Sequence, residues 1–314
     1  MQRLPLQLRT VQVLHGGALG DCVLALHLCR MMHQSWGEPK IAFVGRSSIA
    51  ELARQLGWLA SFLHSETGFA ALRFRESALS AAHPDGPVDE THAVVSFVGA
   101  PAFPNPPRKL LLVDPRPLPG SPLHITDQWA RQLCDQGCPV RSGHHPQVEI
   151  DAGLRCDWSA DLRARVGNGR GRMAILHPGS GGTRKCCPLE PLEVLVDCLR
   201  ARGWSPVWMI GPDEVERDGP KLRDRLASSA LVLFEESVVQ AAKLAGGADL
   251  YVGQDAGMTH VAAWMGVRTI AIFGPTDPNV WRPLGRHVRI IDFPPYDDPG
   301  RSLWIRNVVE SLAS

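Results

Sequence analysis

The sequence predicts an α/β protein built from two Rossmann-like domains with parallel sheets, and three observations carry that prediction. Short runs rich in β-branched residues alternate with longer helical stretches, as in repeated β-α units that form parallel sheet. The alternation breaks up across 115–172, where Pro, Gly and polar residues crowd "DPRPLPGSP", "RSGHHP" and "RVGNGRGR", and then restarts. At 314 residues the chain exceeds a typical single core and fits two domains of ordinary size.

In order along the first half, "VQVLH" (11–15) is a strand, "GGALG" a turn, and "DCVLALHLCRMMHQ" an apolar stretch too long for a strand and therefore a helix. "KIAFVG" (40–45), "AVVSFVG" (93–99) and "KLLLVD" (109–114) are further strands, with helices expected around 48–57 and 66–82 and over "TDQWARQLCDQ" (126–136). The boundary is expected near 145–170, giving an N-terminal domain over 1–155 and a C-terminal one over 156–300. In the second half, "MAILHPGSGG" reads as strand then Gly-rich turn and "LEPLEVLVDCLRARG" as a helix closed by Gly203. "SPVWMIG" is a strand, "DEVERDGPKLRDRLA" opens helically, and "VVQAAKLAGGA" is a helix. "DLYVGQD" is a strand, "GMTHVAAWMG" a helix and "RTIAIFGP" a strand. The last segment, "RSLWIRNVVESLAS" (301–314), has helical apolar spacing.

Composition excludes several classes. Lys and Arg total 33 against 32 Asp and Glu, a formal charge of +1, so no global field draws the chain to nucleic acid or anionic lipid. No stretch resembles a signal peptide or reaches the roughly 20 apolar residues of a membrane helix, which makes the cytoplasm the default compartment. Cys22, Cys29, Cys134, Cys138, Cys156, Cys186, Cys187 and Cys198 are scattered without paired CxxC units, so no zinc site is expected, and adjacent Cys186 and Cys187 read as small packed residues. No two Asp residues stand two apart, so the D-x-D pair that holds Mn²⁺ or Mg²⁺ is missing and no metal is expected.

In open parallel sheets, ligands collect outside the carboxyl ends of strands, and four such loops carry chemistry. "HGGALGD" ends a strand, turns on Gly16, Gly17 and Gly20, and places Asp21 at a helix start, either as an N-cap or as a general base. The loop lacks G-x-G-x-x-G and the Lys of a P-loop, so no dinucleotide cofactor is expected. "LHPGSGGTRKCCP" exposes backbone N–H groups and adds Thr183, Arg184 and Lys185 just before a helix, a cradle for phosphate. "IGPDEVER" offers Glu214 to ribose hydroxyls or, equally, to the helix dipole. "GQDAGMTH" puts Asp255 after a strand, Gly257 where a ligand approaches closely, and His260 one turn into a helix whose free N–H groups favour an anion. The alternative is that Asp255 caps the helix and His260 is a satisfied, half-buried histidine.

These residues carry a resemblance. "LGD" at 19–21, "LHPGSGGTRK" with Pro188, "IGPDE" at 210–214 and "ADLYVGQDAGMTHVAAWMGVRTIAIFGPTDPNVWRP" at 248–283 resemble glycosyltransferase family 9, the ADP-heptose:lipopolysaccharide heptosyltransferases. The resemblance is dense over 173–283 and thin before it, where "GALGDCVLALHLCRMM" is the clear match. It implies a GT-B fold with two facing Rossmann-like domains, the final helix crossing back onto the first. It also implies Asp21 as base, Lys185 and Thr183 on the donor phosphates, and Glu214 on the nucleotide ribose. Asp255 inherits the transferred sugar, and Gly257 and His260 the diphosphate region. The activity implied is inverting, metal-independent transfer of a sugar, heptose from ADP-heptose favoured, onto a lipopolysaccharide core or other glycan or glycolipid acceptor, with peripheral contact at the inner membrane. Cys186 and Cys187 depart from the family pattern, in which a bulky residue commonly stands between the phosphate Lys and the Pro. Arg46, Arg73 and Arg75 are the cations available to a phosphorylated acceptor. The competing functions are a catalytically silent nucleotide-sugar or glycan binder, which has no need of Asp21, and an epimerase or NAD-dependent enzyme, which the missing G-x-G-x-x-G disfavours.

Overall fold

Strand β1 (Thr10–His15) is buried along its whole length, as befits the centre of a parallel sheet covered by helices on both faces. The computed structural model describes residues 8–64, 91–99, 109–167, 171–293, 304 and 308, with the side chains of Thr183 and Pro220 outside that description. The chain divides into two compact units, 1–148 and 149–314.

In the first unit, β1 leads into α1 (Leu19–Ser35), β2 (Lys40–Gly45), α2 (Ile49–Gln55), β3 (Ser61–His64), β4 (His92–Ser96), β5 (Leu110–Leu112) and α3 (Ile125–Asp135). The sheet runs β3-β2-β1-β4-β5, and each neighbouring pair is parallel. The chain winds outward through β2 and β3 and then returns to the other side of β1, so the switch point lies between β1 and β4. Helix α1 is buried almost continuously from Cys22 to Cys29, because it packs against β1 and β2 and also meets α2 and α3. The helix expected over 66–82 lies outside the described residues.

Edge strand β5 is held from its outer side by glutamines. Val113 N donates to Ser96 O of β4, so the backbone groups of Leu112 and Asp114 point the other way. Gln136 accepts from Leu112 N at 3.0 Å and donates to Leu112 O at 2.8 Å. Gln132 does the same for Asp114 at 2.8 and 3.1 Å, and Gln128 ties Leu118 N and Leu123 O of the following loop at 2.7 and 2.8 Å. The fit is geometric: four residues of helix rise about 6 Å, close to the two-residue repeat of a strand.

The second unit begins with α4 (Ala152–Arg165), inside the stretch the sequence left irregular. Asp151 caps it by accepting from Gly153 N and Leu154 N, and Trp158 and Leu162 are its buried residues. Arg155 fastens it to the rest of the unit by donating to Gly246 O and Met265 O at 3.1 and 2.9 Å. There follow β6 (Arg172–His177), a 3-10 turn (Thr183–Lys185), α5 (Leu189–Ala201), β7 (Trp204–Ile210), α6 (Pro212–Asp218), α7 (Pro220–Ala227) and β8 (Leu231–Phe234). Then come α8 (Val238–Gly246), β9 (Leu250–Gln254), α9 (Gly257–Trp264), β10 (Thr269–Phe273), α10 (Pro278–Trp281) and β11 (Val288–Asp292). The run "DEVERDGPKLRDRLA" is two helices rather than one, because Gly219 at φ 70° breaks the first and Pro220 starts the second.

All strand pairs of this sheet are parallel, in the order β11-β10-β9-β6-β7-β8. The switch point here lies between β6 and β9, whose register sets His177 beside Gly253. The core draws on Leu176, Leu195, Val196, Trp208, Leu250, Val252 and Ile272. Of the segment 301–314, Trp304 and Val308 are described, both helical. They join this same core, and Trp304 Nε1 donates to Asp292 O at 2.7 Å.

Candidate functional site

The second unit gathers its chemistry at the β6/β9 switch point. The Gly-rich loop after β6 is fastened to the end of β9 at three places. Ser180 Oγ donates to Asp255 O at 2.6 Å, and Lys185 Nζ lies 2.7 Å from Asp255 Oδ2. Farther along, Cys187 N donates to Gln254 Oε1 at 3.2 Å while Gln254 Nε2 reaches Cys187 Sγ at 3.0 Å. Lys185 and Asp255, 70 residues apart in sequence, therefore form one ion pair, with the carboxylate buried and the lysine side chain 41% exposed.

Asp255 is not a helix cap. The N-cap of α9 is Ala256, which has no side chain for the purpose, so the first N–H groups of the helix lack a side-chain acceptor at the spot where Lys185 and Asp255 meet. Gly257 is the first residue of α9 and His260 the fourth. His260 is buried rather than half-buried, and its Nδ1 has no hydrogen-bond partner. Burial pushes its pKa down to about 4, with Asp255 opposing and Lys185 reinforcing the shift. The imidazole is thus neutral at pH 7, and the positive pole of this corner comes from Lys185 and the backbone N–H groups. Thr183 opens the 3-10 turn before Lys185, and its side chain lies outside the described residues.

Glu214 stands on the neighbouring loop after β7, third in α6, and is buried. Its Oε2 accepts from Gly211 N at 2.8 Å, the capping interaction, and its Oε1 lies 3.4 Å from His177 Nε2. Burial raises the pKa of this carboxyl, yet the contact with His177 and the bond from Gly211 N outweigh it and hold the group below its ordinary value. Gly179 exists to admit it: a Cβ there would stand 1.8 Å from Glu214 Oε1. His177, Gly179, Ser180 and Gln254 are site residues that motif reasoning did not single out. The signal for His177 was its place as the last residue of β6, at the carboxyl edge.

Beside these residues, a cavity of about 380 Å³ is lined by Pro178, Cys186, Cys187, Pro188, Arg217 and Lys221, among others. Cys187 is packed and hydrogen-bonded, as small packed residues should be, whereas Cys186 is half-buried and borders the cavity. Burial pushes the Cys186 thiol up despite the nearby Arg217 guanidinium. None of the eight cysteines is in a disulfide. Among the described residues no group of three or more His, Cys, Asp or Glu side chains is arranged to hold a metal ion.

In the first unit, Asp21 is the third residue of α1, not its N-cap, which is Ala18. The carboxylate sits in the first turn, where the helix dipole favours negative charge. It lies against Gly17: a Cβ at that position would come within 2.8 Å of Asp21 Cβ and of His15 Cε1. The buried His15 ring stacks edge-on with Phe97 at 5.1 Å, and Phe97 in turn with Trp129 at 5.0 Å. Burial pushes the pKa of His15 down to about 4, so this imidazole carries no charge at pH 7. Asp127, third in α3, accepts from Gly143 N at 2.7 Å and lies 3.2 Å from His145 Nε2, which ties the 143–145 loop to that helix. Arg46 is exposed after β2, and Arg73 and Arg75 lie outside the described residues.

Comparison with known proteins bears on this geometry. The sequence profile of glycosyltransferase family 9 (heptosyltransferase) matches residues 140–300, just over half of the chain. The chain belongs to glycosyltransferase family 9. It is 28% identical over 121 residues to lipopolysaccharide heptosyltransferase 3 of Escherichia coli, covering 36% of this chain and 34% of that protein. It is 34% identical over 145 residues to lipopolysaccharide heptosyltransferase 1 of Pseudomonas aeruginosa, covering 45% of this chain and 38% of that protein. The chain thus aligns with little more than a third of the length of these curated family members. In fold the likeness is broader: the structure of E. coli ADP-heptose lipopolysaccharide heptosyltransferase II superposes with a TM-score of 0.68 at 16% identity, over 97% of this chain and 99% of that one. The two parallel α/β units are those of a GT-B protein. No described helix is long and apolar enough to cross a membrane.

Proposed function

We propose that the chain is an inverting, metal-independent glycosyltransferase that moves heptose from ADP-heptose onto a lipopolysaccharide core or other glycan acceptor, working in the cytoplasm with peripheral contact at the inner membrane. The observation that carries this reading is the meeting of Lys185, Asp255 and the uncapped start of α9 at the β6/β9 switch point. A cation and free N–H groups suit a diphosphate, and a carboxylate beside them suits sugar hydroxyls.

Lys185, with Thr183 and the backbone at Gly257, holds the diphosphate, Asp255 the transferred sugar and Glu214 the ribose; His260, being neutral, adds hydrogen-bonding capacity without charge. Asp21 accepts the proton of the acceptor hydroxyl as its oxygen attacks the anomeric carbon. The bond from that carbon to the diphosphate breaks on the opposite face, and the charge left on the phosphate meets Lys185 and the α9 N–H groups. Those groups supply the electrostatic stabilisation that a divalent cation supplies in D-x-D enzymes.

Calorimetric titration of the purified chain with ADP, UDP and GDP in EDTA, repeated with Lys185→Ala, tests the reading. ADP should bind selectively and the variant should weaken it roughly 100-fold, the loss of a charge-assisted contact. Selective UDP or GDP binding would replace the donor, and binding of none would leave a silent relative of the family.

A further inference from the structure

We infer that Asp255 makes the donor site select for a sugar-bearing nucleotide, because its ion pair with Lys185 is a latch that a diphosphate opens and that only a sugar compensates. The inference rests on the donor-site reading above and adds to it the order in which the two ends of the donor are felt.

Lys185 has one cationic head and, in the structure, spends it on Asp255 Oδ2 at 2.7 Å. Asp255 is nearly inaccessible to water, with its side chain 6% exposed. Its backbone is fixed as well, since Ser180 Oγ donates to its carbonyl at 2.6 Å, so the carboxylate cannot swing out to solvent by moving the loop alone. A diphosphate that draws Lys185 to itself leaves a buried carboxylate without its cation, an arrangement far more costly than the loss of an exposed pair. His260, a further titratable group near this pair, is neutral and has no charge to offer Asp255. Hydroxyl donors can take over, and in a nucleotide sugar they arrive on the same molecule as the phosphates.

Two consequences follow for ligands of different length. A nucleoside diphosphate opens the latch without compensation and binds weakly for its charge; a nucleotide sugar opens it and fills the gap. After transfer the nucleoside diphosphate is again alone, and return of Lys185 to Asp255 favours its departure.

The test is calorimetric titration of ADP and ADP-heptose into the wild-type chain and into Asp255→Asn, with thermal melting to verify folding. The wild-type chain should prefer ADP-heptose to ADP. In Asp255→Asn, ADP should bind roughly tenfold more tightly than in wild type, since the desolvated charge no longer has to be abandoned, and the preference for the sugar-bearing ligand should collapse. Weaker ADP-heptose binding with ADP unchanged would make Asp255 a sugar ligand only and overturn the latch, leaving the donor-site reading intact. A wild-type chain that binds ADP at least as tightly as ADP-heptose would overturn it without any variant, and one that binds neither would remove the ADP-heptose reading on which the latch rests.

Discussion

The two carboxyl edges of this protein are built on opposite plans. In the second unit the switch point is crowded with charged and polar groups already engaged with one another: Lys185 with Asp255, Glu214 with His177 and Gly211, Gln254 with Cys187. In the first unit the corresponding edge offers Asp21 over a buried ring stack of His15, Phe97 and Trp129. The difference matches two different tasks. Under the proposed function, holding a highly charged donor takes many fixed contacts, whereas taking one proton takes one carboxylate. The proposed function gives the second unit the donor and the charge left on its phosphate, and the first unit the base Asp21.

The sharpest way to break the division is Asp21→Asn. Turnover should fall about 10²–10⁴-fold, the usual worth of a general base, while ADP affinity measured by calorimetry stays unchanged. A parallel loss of ADP affinity would mean that the two edges are not separate in function. A smaller effect is expected from Gly179→Ala, whose Cβ has to displace the Glu214 carboxylate from a position 1.8 Å away. Unfolding by urea should show a loss of about 1–3 kcal/mol, and ADP should bind more weakly, with the maximal transfer rate at saturating donor largely retained. Retained affinity would remove Glu214 from the ribose contact.

The smallest effect concerns pH. The Glu214 carboxyl is held below the ordinary glutamate value in the folded chain, so the unfolded chain takes up its proton first as pH falls. Its contribution to stability is complete above the ordinary glutamate range and disappears as pH drops through the folded value. Glu214→Gln should therefore be less stable than wild type at pH 7, by about 1 kcal/mol. The gap should close in acid, as equilibrium unfolding at a series of pH values would reveal. An unchanging gap would assign the loss to packing rather than charge.

Much of this organisation is legible in the sequence because the central strands are long, apolar and followed by glycines: β1, β6 and β9 each end in a loop that sequence reasoning marked. Asp21, Lys185, Asp255 and His260 fall at those ends, and Glu214 follows the end of β7. What escaped has physical reasons. The edge strands β3, β8 and β11 are only partly covered, so they lack the continuous buried runs of the central strands. Helix α4 buries only Trp158 and Leu162, a thin stripe hidden between Gly-rich flanks. The partners of the site residues were invisible for another reason: His177 and Glu214 are 37 residues apart, and only the parallel register brings the ends of β6 and β7 together. The resting pair of Lys185 and Asp255 was equally hidden, since motif reasoning assigned the two residues to different parts of a ligand and not to each other.

The glutamines of α3 reach beyond the fold of a single molecule. An outermost strand presents unpaired N–H and C=O groups on which a strand from another chain can assemble, the first step toward aggregation. Gln136 and Gln132 occupy those groups at Leu112 and Asp114, and Gln128 closes the loop beyond. Amide groups that imitate the next strand thus terminate the sheet at β5, so this edge offers another chain few free backbone groups to pair with.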